Sequence, residues 1–232
     1  MKVLIELPTW LGDCVMATPA IENIVNFDND TQITLIGSFV SIEALKNHPE
    51  VVKTVVLSKK YRDLVKISKE LGDFDIFFSF RSSIRSKFLK FFISAENKYQ
   101  FDKNTYQNRH QVEKYNDFVN DSLSINLTAK KLQIYGYSTS KNKKKILGIN
   151  PGASYGSAKR WYPEEFAKVA GELSSQYDIV IFGGPGEKDI AMDIEKSLLE
   201  KGIDNYQNLA ANTTIPELID HISKLDLFIT GD

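Results

Sequence analysis

Short apolar runs alternate with longer amphipathic stretches along the first part of the chain. KVLIEL leads into a helix expected to open near Asp13. QITLIG leads into VSIEALKNH, KTVVL into YRDLVKISKEL, and DIFFSF into SSIRSKFLKFFI. Strands that are apolar throughout, each followed by a helix, predict a parallel sheet covered on both faces. About four such units precede residue 95. Residues 96–137 are polar, aromatic and rich in Asn, and predict a loop followed by a helix from Gln111 to Ser122.

YSTSKNKKK has no apolar periodicity and predicts a linker near 138–145. The rhythm then restarts. ILGIN, DIVIFGG and DLFITGD read as strands, with a further short one at NYQNL; PEEFAKVAGELSSQ, EKDIAMDIEKSLLEKG and TIPELIDHISKL read as helices. The expectation is an α/β chain of two Rossmann-like, doubly wound parallel-sheet domains, 1–140 and 146–232. The final strand hands over to nothing at Asp232, so the second domain is expected to be incomplete.

Composition narrows the class. With 42% hydrophobic and 25% charged residues, the 232-residue chain has the make-up of a globular protein with a core. A net charge of −1 argues against a whole-surface nucleic-acid binder. Cys14 is the only cysteine, which rules out an intrachain disulfide and fits a reducing compartment. No apolar run approaches the ~20 residues of a membrane span, and the N-terminal MKVLIELPTW has one lysine and an apolar segment too short for a signal sequence; a cytoplasmic location is expected. His48, His110 and His221 lack ligand spacing, so no metal site is expected. The Asp-Phe-Asp at 73–75 resembles a metal-diphosphate motif, but it enters its strand at the wrong edge of the sheet.

Ligands of doubly wound folds bind beyond the carboxyl ends of strands, and three such ends carry chemistry. After the first strand, Asp13 reads either as a helix N-cap or as a carboxylate that accepts a proton, kept ionised by the helix terminus. After ILGIN, the stretch NPGASYGSAKRW has neither Walker A nor dinucleotide-fingerprint spacing. Its Gly152, Ser154, Gly156, Ser157 and Lys159, ahead of a helix near Pro163, nevertheless suit a phosphate group; the alternative is a plain surface loop. Trp161 reads as packing. After DIVIFGG, Glu187 reads as a ribose ligand or as an ordinary helix-start acid.

One region is electrically lopsided. From Arg81 to Lys114 there are eight cations and three acids, a net +5. On a nearly neutral protein this suggests an anionic partner, against the alternative of a solvated face. Phe88, Phe91 and Phe92 within it are read as core, against the alternative of a membrane contact.

LPTWLGDCVMATPAI and NPGASYGSAKRWYPEEFAKVA, supported by RHQVEKY, FGGPGEKD and FITGD, resemble the lipopolysaccharide heptosyltransferases of glycosyltransferase family 9. The resemblance implies a GT-B fold with a cleft between an acceptor-binding N-terminal domain and a nucleotide-sugar-binding C-terminal one. It implies inverting transfer of heptose from ADP-L-glycero-D-manno-heptose to the inner-core heptose of a heptosyl-Kdo-lipid A acceptor, without a metal or other cofactor. Asp13 becomes the general base. Lys159 meets the diphosphate with Ser154, Gly156 and Ser157, and Glu187 meets the ribose. Asp232 opens an Asp-[Ser/Thr]-Gly-x-x-His element. Arg81, Arg85, Arg109 and His110 face the acceptor. A peripheral contact with the cytoplasmic face of the inner membrane is compatible with that acceptor. The rival readings are another GT-B enzyme, with a different donor or an epimerase activity, and a non-catalytic Rossmann-like binding protein.

Overall fold

The computed structural model describes residues 1–58, 60–137, 144–152 and 160–231. The chain divides into two compact units, Met1–Gly136 and Tyr137–Asp232. The stretch 138–143, most of the expected linker, lies outside the described residues.

The first unit is built on a five-stranded sheet of β1 (Lys2–Glu6), β2 (Gln32–Gly37), β3 (Val51–Val56), β4 (Asp73–Ser79) and β5 (Ser94–Gln100). The spatial order is β3-β2-β1-β4-β5, and every pairing is parallel. The helices are α1 (Leu11–Met16), α2 (Thr18–Val25), α3 (Phe39–Leu45), α4 (Tyr61–Leu71), α5 (Ile84–Phe92) and α6 (Gln111–Leu123). Successive side chains on a strand point to opposite faces, so neighbouring phenylalanines of β4 serve different layers. Phe77 packs with Leu4, Leu64 of α4 and Leu89 of α5. Phe78 turns the other way and meets Phe118 of α6 edge-on, with ring centroids 5.9 Å apart. Phe80 and Phe101 join that layer through Tyr115 and Phe118. Helix α6 is tied to α2 by a buried hydrogen bond from Asn23 Nδ2 to Asn116 Oδ1, 2.7 Å long.

The polar segment expected to begin as a loop holds a strand instead. SAENKYQ forms β5, paired only with β4 at the sheet edge. An edge strand is half solvated, so it needs no apolar run and leaves no such signal in the sequence. Asp73 and Asp75 are the first and third residues of β4, and Asp75 accepts the Lys2 backbone N–H at 2.6 Å. They sit at the amino edge of the sheet, as expected.

The second unit has a four-stranded parallel sheet of β6 (Lys145–Asn150), β7 (Tyr177–Ile181), β8 (Tyr206–Asn208) and β9 (Leu227–Thr230), in the order β8-β7-β6-β9. Helices α7 (Pro163–Leu173) and α8 (Lys188–Glu200) cover one face through Phe166, Ala170, Ile194 and Leu198 against Leu147, Ile149 and Ile179. On the other face, Leu218 of α9 (Ile215–Ser223) packs against a cluster of Val180, Phe182 and Leu209. Trp161 packs edge-on against Phe166 at 5.2 Å, the packing role expected of it.

Gly148, in the middle of β6, leaves room for the α9 side of this core. A Cβ there would crowd Leu225 and lie 2.8 Å from Phe228 Cδ2. Gly148→Ala is therefore expected to destabilise the protein by about 1–3 kcal/mol, the usual cost of overpacking, read as a lowered urea midpoint.

Candidate active site

Strand order reverses direction about β1 and β4 in the first sheet, and the loops leaving their carboxyl ends diverge there. Open parallel sheets take ligands at this switch point. An open depression of about 450 Å³ lies at that edge, lined by Pro8, Thr9, Trp10, Asp13, Phe80, Arg81, Ser82, Ser83, Phe101, Lys103, Gln111 and Tyr115.

Asp13 lies in the first turn of α1, but Trp10 occupies the N-cap position. The N-cap reading of Asp13 is thereby corrected: its carboxylate is left for the depression. Among the described residues, no group donates a hydrogen bond to it. Burial pushes its carboxyl above the ordinary aspartate value, so desolvation outweighs the helix-end stabilisation expected from sequence. A raised carboxyl is a stronger proton acceptor. Tyr115 lies across from it; burial first, and then the Asp13 charge, hold the phenol well above its usual value. Cys14, the next residue along, is buried on the inner side of the helix. Burial pushes its thiol up to about 12, which removes it as a nucleophile.

Beneath the depression lies a group that the motif reading passed over. Glu6 ends β1 and is fully buried. It stands in register with Ser79 of β4. Its carboxylate accepts from Ser79 Oγ at 2.6 Å and Ser86 Oγ at 3.0 Å, and pairs with the Arg81 guanidinium at 3.5 Å. Burial raises its pKa, opposed in turn by Ser79, Arg81, Ser86 and Arg85. The signal was present: KVLIEL places an acid at the end of an otherwise apolar strand, and a buried carboxylate needs partners. Glu6 holds Arg81 at the rim, so the rim cation is built from below the floor.

The other expected acceptor-facing cations are placed differently. The Arg85 guanidinium donates to the Ser58 carbonyl, in the loop before α4, and acts on Glu6 from beneath rather than lining the depression. Arg109 is engaged by Glu113 at 3.3 Å and Asp117 at 2.8 Å, in a separate depression. His110 caps α6, its Nδ1 accepting the Val112 N–H at 3.4 Å. Among the described residues, Arg81 and Lys103 are the cations that line the depression beside Asp13.

In the second unit, Ser154, Gly156, Ser157, Lys159 and Asp232 lie outside the described residues. Glu187 is described. It closes a 3-10 turn, Pro185–Glu187, after β7, at the carboxyl edge of the sheet. Its side chain lies over Gly152, where a Cβ would stand 2.9 Å from Glu187 Cδ. Only a glycine leaves space for the carboxylate at that loop. Arg160 Nη2 is 4.0 Å from Glu187 Oε1. Among the described residues no group of three His, Cys, Asp or Glu is arranged to hold a metal ion, and no helix is long and apolar enough to cross a membrane.

Residues 65–232 match the model of glycosyltransferase family 9 (heptosyltransferase). Lipooligosaccharide heptosyltransferase 2 of Campylobacter jejuni is 44% identical over 241 residues, a match covering all of this chain and 75% of that protein. The chain belongs to glycosyltransferase family 9, the heptosyltransferases. The Haemophilus influenzae lipooligosaccharide heptosyltransferase 2 is 24% identical, again across the whole chain and 78% of the relative. Among solved structures, E. coli ADP-heptose lps heptosyltransferase II superposes with a TM-score of 0.84 at 19% identity, over all of this chain and 79% of that one. E. coli heptosyltransferase WaaC with ADP-2-deoxy-2-fluoro heptose gives 0.79 at 15% identity, over all of this chain and 83% of that one. These likenesses show the fold: this family 9 glycosyltransferase has the GT-B class of paired Rossmann-like units.

Two outcomes follow from the site of this glycosyltransferase. Burial raises the folded-state pKa of Asp13, so its contribution to stability is whole when both states are protonated and is lost as pH rises through the folded value. Asp13→Asn is therefore expected to raise the melting temperature at pH 7, with the gain vanishing below about pH 4, where the carboxyl is protonated anyway. Glu6→Ala leaves Arg81 without its buried counter-charge and is expected to cost about 3–5 kcal/mol in urea denaturation.

Proposed function

We propose that the chain transfers L-glycero-D-manno-heptose from ADP-heptose to the inner-core heptose of lipopolysaccharide, with inversion at the anomeric carbon. The observation that carries the reading is Asp13: a half-buried carboxylate with a raised pKa, no described donor, and a place at the switch point beside two cations. The C. jejuni and E. coli relatives are heptosyltransferases, and the ADP-2-deoxy-2-fluoro heptose held by E. coli heptosyltransferase WaaC supports the sugar and its carrier.

In this scheme the acceptor sugar enters the depression of the first unit. Arg81 and Lys103 face the phosphate and carboxylate groups of the inner core. Asp13 takes the proton of the attacking hydroxyl. The freed oxygen forms a bond to the anomeric carbon from the face opposite ADP. The bond from that carbon to the diphosphate oxygen breaks, and ADP leaves with the electron pair. Lys159, with Ser154, Gly156 and Ser157, neutralises the departing diphosphate as its charge grows. Glu187 binds the adenosine ribose, and Asp232 opens a further donor contact. The scheme assigns the leaving charge to these groups rather than to a metal. The reaction belongs in the cytoplasm, with the acceptor presented at the inner membrane.

The test is transfer from ADP-heptose to an inner-core acceptor, with UDP- and GDP-sugars offered in parallel. Transfer from another nucleotide sugar in preference would refute the donor assignment. Asp13→Asn is expected to lower kcat by roughly 10²–10⁴-fold while ADP affinity, measured by calorimetry, stays near that of the parent. Lys159→Ala should do the reverse at the binding step and weaken ADP; an unchanged dissociation constant would separate that loop from the diphosphate.

A further inference from the structure

Helix α5 is capped by Ser83, whose side chain accepts the Ser86 N–H at 3.1 Å. Ser83 also lines the Asp13 depression, so the helix starts at the site and runs away from it. Its inner face is ordinary: Ser86 and Leu89 are buried. Its outer face is not. Ile84 and Phe91 lie along one helical stripe, and Phe88 between them is half-buried against the core cluster, the core role expected of it. Ile84 is 81% exposed and Phe91 79% exposed. The core role expected of Phe91 from sequence is thus overturned, and Phe92 is also exposed.

These side chains form one surface. Phe91 meets Phe92 at 5.2 Å, Phe92 meets Phe88 at 4.9 Å, and Phe88 meets Tyr61 of α4 at 5.1 Å. Tyr61 is itself exposed. The α5 stretch carries charge of one sign: from Arg81 to Ala95 the chain has Arg81, Arg85, Lys87 and Lys90 and no acid. A soluble surface does not ordinarily present a contiguous aromatic patch of this kind.

We propose that the outer face of α5, with Tyr61 beside it, docks on an anionic lipid bilayer, sinking Ile84, Phe91 and Phe92 among the headgroups. The charge selects the occupant. Two copies meeting through this face about a two-fold axis would oppose like-charged lysines, whereas acidic headgroups attract them and aromatic rings favour the interfacial zone. The proposal rests on the preceding reading only for its purpose. A nine-residue helix spans about 14 Å, so docking through α5 would hold the depression close to the surface that carries a lipid-linked acceptor.

The test is co-sedimentation of the full chain, without substrate, with vesicles of phosphatidylcholine alone and of phosphatidylcholine mixed with phosphatidylglycerol. Binding is expected on the mixed vesicles, weakened by salt, and absent on the neutral ones. The double substitution Ile84→Ser with Phe91→Ser should weaken binding about tenfold or more, given the apolar area withdrawn; both residues are solvent-facing, so the fold is retained. Lys87→Glu with Lys90→Glu should also weaken it. Equal binding to both vesicle types, no binding at all, or undiminished binding of the serine variant would each overturn the proposal. So would a dimer in sedimentation velocity that the serine variant abolishes, since a second copy would then own the face. Heptosyl transfer to a lipid-free acceptor, measured separately, should be unchanged in the serine variant. Loss of transfer in the parent protein would bear on the proposed reaction and leave the vesicle result standing.

Discussion

An all-parallel sheet must be covered on both faces, and each unit of this protein is arranged around that requirement. β1 is enclosed by β2 and β4, and β6 by β7 and β9. Parallel neighbours require crossover connections, so the polar loops leaving the central strands emerge at one edge. The chemistry follows from that geometry. Asp13, in the first turn of α1, and Arg81, just after β4, are far apart in sequence and line one depression because β1 and β4 are adjacent.

Two carboxylates on either side of one loop show how burial sorts structure from chemistry. Glu6 lies under the loop, with two hydroxyls and a guanidinium around it. Its charge is spent on holding the floor and rim together. Asp13 lies above the loop, half-buried and without a described donor, so its proton affinity rises. Satisfied polar groups rigidify; an unsatisfied one at a cleft edge costs stability. The second unit offers a parallel in Glu187, whose carboxylate occupies space that Gly152 leaves open at the carboxyl edge of its sheet.

Helix α5 joins two environments. Its first residues border the depression, its inner face completes the core through Leu89, and its outer face presents phenylalanines to the surroundings. Core burial explains Leu89 and leaves Phe91 unexplained. A basic, aromatic outer face fits a charged lipid interface better than bulk water.

The sequence by itself determined the α/β class, the alternation of elements and most of their spans, because buried strands and amphipathic helices write their periodicity directly into composition. KVLIEL, QITLIG and DIFFSF carry that pattern in full. It also placed Asp13 and Glu187 at strand ends, since the ends of apolar runs are visible in one dimension. Tertiary structure decided what pattern cannot encode. It made SAENKYQ an edge strand, gave the N-cap of α1 to Trp10 rather than Asp13, and enclosed Glu6. It also put Arg81 on the wall of the depression and Arg109 in another one, and turned Phe91 outward while Leu89 went in. The reason is common to all of these: partnership and exposure depend on neighbours supplied by distant segments, and a residue's own position along the chain says nothing about which neighbours those are.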